Sequence, residues 1–458
     1  MNSFMMAFGW ASIMLLIGFF LRTKIAFFRT MLVPSSVIGG IIGLLFLNAA
    51  SAYGIPIGTD EHLFTEIVTH LFTISIISIG LTSSPKDSDN SMKNTLHGAL
   101  GMGIVWCLLY ALTPIIGVLI VAGIGRFCDM PAIYGTLIPY AFAQGPGQAA
   151  SYGALYEGYG YENAGMTALT FSVIGFIIAF TVGIPMARLG VKRGIAKHCG
   201  AIDETTAKGY LTKEEQTGYM VKDTTCCSNI ETMAFHFALI GLCYILAIGI
   251  SKILALIPGF IGASMSGLMF MNGMYAACLV KWFMKKAHLK FLHDSVLQSK
   301  ITGWSTDYLV VCAFMAVSIK ILGEWLGIIL LEAAIVAVIT FVLCLYFGQR
   351  IGGKNDFERT LGLFGTCTGT IPSGMTLVRI VDPQYKTSTA VELGIMNLVM
   401  LLATPATITL LAAASGTVSL NMAMILLTAC CLVYIVLLKL TKTWGKCTYT
   451  WKGNGTNV

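Results

Sequence analysis

Two short runs hold most of the side chains that could do chemistry. Residues 144–153 read QGPGQAASYG, and residues 365–374 read GTCTGTIPSG. Gln144, Gln148 and Ser151 supply amides and a hydroxyl in the first run, and Thr366, Thr368, Thr370 and Ser373 supply hydroxyls in the second. Gly145, Gly147 and Gly369 carry no side chain, so the backbone there can turn freely and lie close to a ligand. None of these groups is an acid, a base or a strong nucleophile. What they can do is bind. Freed carbonyls and hydroxyls coordinate a dehydrated Na⁺, while amides and the N-termini of half-helices face a carboxylate. The alternative is structural: small residues let membrane helices pack closely.

Other polar residues extend the candidate set. Arg379, in MTLVRIVDP, follows the second run. Its planar fork of donors suits a substrate carboxylate, but pairing with Asp382 or snorkelling to the membrane surface explains it equally. Asn48 and Asn272 are either polar contacts to the two runs or plain inter-helix hydrogen bonds. We therefore expect substrate at Gln144, Gly145, Gly147, Gln148, Ser151, Thr370, Ser373 and Arg379. Na⁺ is expected at Thr366, Thr368, Gly369, Asn48 and Asn272. His70, His97 and His236 fall at span ends, where satisfied interface histidines are common, and Lys320, Glu324, Glu332 and Glu392 also lie near ends, where snorkelling accounts for them. Glu392 is the best of these for a coupling role. No GxSxG, P-loop or HExxH motif occurs, so an enzyme is not expected. A channel would need a charged ring or a symmetric filter repeat, and neither is visible.

The elements that must position these residues are membrane helices. Of 458 residues, 56% are hydrophobic and 11% charged, against about 25% charged in soluble domains. Eleven apolar runs long enough to span a bilayer lie near 4–21, 31–53, 66–82, 97–123, 165–187, 233–257, 259–283, 306–323, 327–347, 388–413 and 419–438. Basic residues cluster in alternate loops, which places the N-terminus outside and the C-terminus inside. That distribution accounts for the net charge of +7 without a nucleic-acid partner. The first run lacks a basic flank and a cleavage site, so we expect a retained span and no signal peptide. Thirteen cysteines are mostly scattered through apolar runs, and they predict neither a disulfide framework nor a metal site.

Both polar runs sit in segments too interrupted to span, 132–156 and 359–380. These read as re-entrant hairpins, whose exposed backbone is tolerable only where it lines a cavity or is buried in protein. An internal repeat supports the pairing. PSSVIGGIIGLLFLN at 34–48 aligns with PGFIGASMSGLMFMN at 258–272, an offset of 224, and the hairpins align at 222. Each copy holds five spans and one hairpin, so the second copy is inverted. Inverted repeats with matching interrupted segments signal a secondary transporter. The expected fold is thus all-α and polytopic. Residues 1–187 form the first repeat, 188–231 a cytoplasmic linker, 232–413 the second repeat, and 414–458 an extra span with a tail.

The chain resembles the bacterial sodium/glutamate symporter family. The resemblance rests on AQGPGQAASYGALYEGYGYENAG with PMARLGVKRG after it, on GTCTGTIPSGM, on Pro34 with Gly39-Gly40, and on Asn272-Gly273. The family pattern has GGHGTG where this chain has AQGPG, with Gln144 in the histidine's place, and it has GFGLG where this chain has TCTGT. The resemblance implies a homodimer, multi-pass in the lipid of the bacterial inner membrane, that couples uptake of glutamate or a related small carboxylate to Na⁺. It implies no other cofactor. An H⁺-coupled or exchange-type organic anion carrier is the alternative.

Overall fold

The computed structural model describes residues 3–31, 33–82, 92–196, 224–225, 229–323, 325–383 and 386–451. Most of the expected 188–231 linker lies outside these residues, as do Glu324 and the Cys226-Cys227 pair.

Among the described residues the fold is all-helical. The first half runs α1 (Ser3–Lys24), α2 (Ala26–Met31), α3 (Ser35–Ala52), α4 (Glu61–Leu81), α5 (Met92–Ile124), then α6 (Ile138–Phe142), α7 (Pro146–Gly158) and α8 (Ala164–Lys192). The second half runs α9 (Thr232–Leu254), α10 (Phe260–Gly267), α11 (Met269–Lys286), α12 (Ser295–Met315), α13 (Ile319–Leu322), α14 (Trp325–Gly348), α15 (Asp356–Cys367), α16 (Ile371–Val381), α17 (Thr389–Val399) and α18 (Thr404–Ala414). A last helix, α19 (Leu420–Leu440), precedes the tail. In lipid every backbone polar group must find a partner inside the chain, and continuous helices meet that demand. Side chains start several of them: Asp60 accepts from the Leu63 N–H, Glu231 from Ala234 and Asp294 from Leu297.

Nine described helices are long and apolar enough to cross a membrane. The two expected spans missing from that set are corrected as follows. The span expected at 306–323 is α12, which begins at Ser295 and stops at Met315. Its polar N-terminal half, QSKITGWSTD, lowered the hydropathy there, yet it is helical because it packs on α4. Ser78 donates from Oγ to the Gln298 carbonyl at 2.8 Å across that contact. The span expected at 259–283 is broken at Leu268 into α10 and α11.

The two aligned asparagines explain how both breaks are tolerated. Asn48 donates from Nδ2 to the Val317 carbonyl and accepts the Ile319 N–H at Oδ1, satisfying the gap between α12 and α13. Asn272 donates to the Met265 carbonyl at 3.1 Å, in the last turn of α10. Each restores backbone hydrogen bonds that a broken helix would leave unmade.

Contacts sort the helices into two groups. In one, α4 packs on α12 and α11, α3 on α1 and α12, and α9 on α11. The other gathers α5, α8 and α14 with the two helical hairpins, α17 and α19. The main bridge between the groups is α4 against α7. The tail closes onto the second group: the Gly445 and Thr448 N–H groups donate to the Arg350 and Gln349 carbonyls at 2.7 and 2.9 Å.

Candidate functional site

The first polar run turns the chain between α6 and α7. Gly145 sits at φ 87°, ψ −177°, a conformation open essentially only to glycine, and Pro146 then starts α7. The second run turns it between α15 and α16, where Thr370 is the N-cap and Pro372 stands in the first turn. The two turns touch. A β-carbon on Gly145 would lie 2.3 Å from Thr370 Cγ2 and 3.1 Å from the Gly369 carbonyl oxygen. Trp106 of α5 donates from Nε1 to the Ala143 carbonyl at 2.8 Å, which holds the first turn in place.

Beside the junction lies a cavity of about 700 Å³. The first turns of both half-helices line it, through Pro146, Gly147 and Gln148 on one side and Thr370, Ile371 and Pro372 on the other. A helix start leaves N–H groups without partners inside the helix and carries partial positive charge. Phe72, Trp106, Tyr152 and Phe270 form apolar walls. No Asp, Glu, Lys, Arg or His of the described residues lines the cavity. It is polar at its tips, apolar at its walls and free of fixed charge.

The expected site residues divide. Gln144, Gly147, Gln148, Thr366, Thr370 and Asn272 line the cavity. Oε1 of Gln144, Oε1 of Gln148 and Oδ1 of Asn272 are buried there with no hydrogen-bond partner among the described residues. Buried acceptors left open are uncommon in a protein interior. Gly147 has no side chain because the Phe72 ring fills its place: a β-carbon would lie 2.2 Å from that ring. Gly145 and Gly369 belong to the turn contact itself. Ser151, Thr368 and Ser373 stand behind the lining, engaged with the Gly147 carbonyl, the Phe364 carbonyl and the Thr370 hydroxyl.

Two expected residues fall elsewhere. Asn48 is occupied at the α12–α13 gap. Arg379 is exposed in the last turn of α16, about 13 Å along the helix from its N-cap. Arg22 of α1 is its charged neighbour there. Asp382 accepts the Lys386 and Thr387 N–H groups, both at 2.8 Å.

Glu392 and Glu332 do not snorkel. Glu392 is fully buried and grips Arg359 of α15 with both oxygens at 2.7 Å, while Arg359 also donates to Asp356 at 2.9 Å. This network anchors the base of the second hairpin to α17. Glu332 is also fully buried, and neither of its oxygens has a partner among the described residues. Sequence reasoning also missed several lining hydroxyls, among them Thr302 and Thr306 of α12 and Thr404 and Thr407 of α18. The first pair carried a usable signal, a spacing of four in the low-hydropathy half of its helix.

The sequence profile described as sodium/glutamate symporter matches residues 3–387, well over half of the chain. No curated protein matches the chain.

Proposed function

Because the chain belongs to the sodium/glutamate symporter family, we propose that it imports L-glutamate or a related small carboxylate together with Na⁺. The carrying observation is the charge-free cavity between two half-helix N-termini, lined by Gln144, Gln148 and Asn272, whose side-chain oxygens are buried without a hydrogen-bond partner among the described residues. Helix-terminal N–H groups receive carboxylates, and the open amide oxygens accept from an α-ammonium group. L-glutamate still brings a net negative charge into a site with no cationic side chain. Burying that charge alone is expensive. A co-bound Na⁺ supplies the opposite charge, and the hydroxyls of Thr366 and Thr370 with Oδ1 of Asn272 are oxygen donors of the right kind for it.

In this reading the two turned segments are re-entrant hairpins of an inverted repeat. The group holding them moves against the α4–α12 group, so that the cavity opens to each side in turn. The proposal includes a homodimer in the bacterial inner membrane. It assigns Arg379 no part in recognising the anion.

The test is uptake of labelled L-glutamate by proteoliposomes containing the whole protein. Accumulation against a gradient is expected with external Na⁺ and is lost when choline replaces it. Accumulation unaffected by choline overturns Na⁺ coupling, and equilibration without accumulation identifies a channel.

A further inference from the structure

We propose that Glu332 is a proton-carrying site, so that an H⁺ travels with Na⁺ and substrate in each cycle. This rests on the transport reading above and adds a second ion to it. Glu332 lies about two turns in from the Trp325 end of α14, where that helix meets α5 and the first arm of the first hairpin. It is 0% exposed, and neither carboxyl oxygen has a hydrogen-bond partner among the described residues. An ionised carboxylate would there lack donors and counter-charge, at a cost proteins avoid by neutralising the group.

The space decides which cation does so. Gly117 of α5 and Gly135 of the hairpin arm are in backbone contact, with a β-carbon on Gly135 only 2.3 Å from the Gly117 carbonyl carbon. A single point, the β-carbon that Gly117 lacks, lies 2.3 Å from both Glu332 Oε1 and the Gly135 carbonyl oxygen. The two oxygens are therefore neighbours, wedged against glycine backbone, and no hydrogen-bond donor among the described residues meets the carboxyl. A Na⁺ needs several oxygens around it; a proton needs no room. The Gly135 carbonyl is an acceptor close at hand for a neutral carboxyl O–H.

Among the described residues no charged side chain is bonded to Glu332, and the basic group at this end of α5, Arg126 just past its last turn, is exposed. On α5, Lys93 and His97 stand at the opposite end, and on α15 the Asp356–Arg359 group stands beside the far end of α14. On α8, Arg188 and Lys192 lie in the last two turns, Lys320 of α13 is exposed, and the hairpin arm 132–142 has no charged residue. Because Gly135 rides on the hairpin arm, movement of that arm uncovers the carboxyl. The O–H bond then breaks, the proton passes to water, and a solvated carboxylate remains to be reprotonated from the opposite side in the next cycle.

Two measurements test this on the whole protein. The infrared carbonyl band of a protonated carboxylic acid at neutral pH should be present in the wild type and missing in Glu332→Gln. This readout needs no transport, so it stands even if Na⁺-driven L-glutamate uptake is never seen. In proteoliposomes with a trapped pH dye, Na⁺-driven L-glutamate uptake by the wild type should acidify the lumen. With Glu332→Gln that acidification should fall to the rate of empty liposomes, while the Na⁺-dependent thermal shift by L-glutamate is kept. A band unchanged in Glu332→Gln overturns the proposal. So does wild-type uptake with no change in luminal pH.

Discussion

The contact between the two turns can be tested with one methyl group. Gly145→Ala adds a β-carbon where the backbone sits at φ 87°, ψ −177°, a region that costs a non-glycine residue about 1–3 kcal/mol. The same methyl would stand 2.3 Å from Thr370 Cγ2, whereas carbon atoms prefer about 3.5–4.0 Å. The turns must separate by more than a bond's compressibility allows, and overpacking of this kind costs about 1–3 kcal/mol. Together the two effects remove about 2–6 kcal/mol from the state with apposed turns. Even the lower bound is about a 30-fold loss in its population. Na⁺-dependent L-glutamate uptake, normalised to protein in the membrane, should fall at least that far. Thr370→Ser separates the two causes, because it deletes Cγ2 and keeps the hydroxyl. Added to Gly145→Ala, it should recover the packing part and leave the backbone part. Near-normal uptake and melting temperature in Gly145→Ala would refute the contact, and no recovery in the double variant would refute its assignment to Thr370.

Other substitutions probe the rest of the site. Gln148→Leu or Gln144→Leu should weaken L-glutamate binding about 5- to 150-fold, the worth of a lost buried hydrogen bond of about 1–3 kcal/mol. Thermal stability without ligand should not drop, since those oxygens have no partner to lose. Glu392→Ala leaves the buried Arg359 with Asp356 as its remaining acidic partner and should destabilise the protein by up to about 3–5 kcal/mol, read by chemical denaturation. Arg379→Lys should leave L-glutamate affinity, read by equilibrium binding, within about twofold of wild type; a larger loss would return Arg379 to the site.

The helical fold and both turned segments were legible because their causes are local. Glycine and proline at 145–147 and 369–372 interrupt apolar periodicity, and nothing distant is needed to see it. The misreadings share the opposite character. The polar half of α12 falls largely outside the expected 306–323 span because its partner, α4, lies more than 200 residues earlier in the chain. Glu332 looked like an interface residue because sequence gives its distance from Trp325 and not the two glycines closing over it. Arg379 attracted a role through its charge, yet the cavity is built from uncharged groups. Those depend on which helix starts converge, and a one-dimensional pattern does not carry that. The aligned asparagines were visible as a pair, but their shared work of mending broken helices emerged only with the breaks.

The packing of α19 on α5 has a consequence for how the protein is made. Tyr434 of α19 donates to the Leu402 carbonyl at 2.8 Å, and Leu427, Cys431 and Leu438 bury themselves on the same side. Helix α5 is complete at residue 124, but the helix that covers it spans 420–440. At about 5–20 residues per second, synthesis leaves that face uncovered for on the order of 15–60 s. Throughout that time the face of α5 at Leu108, which Cys431 of α19 later meets, rests against lipid or whatever helix the insertion machinery offers. A nascent chain interrupted before residue 420 therefore has most of its spans but leaves the α5 face that Leu427, Cys431 and Leu438 would cover open to the bilayer.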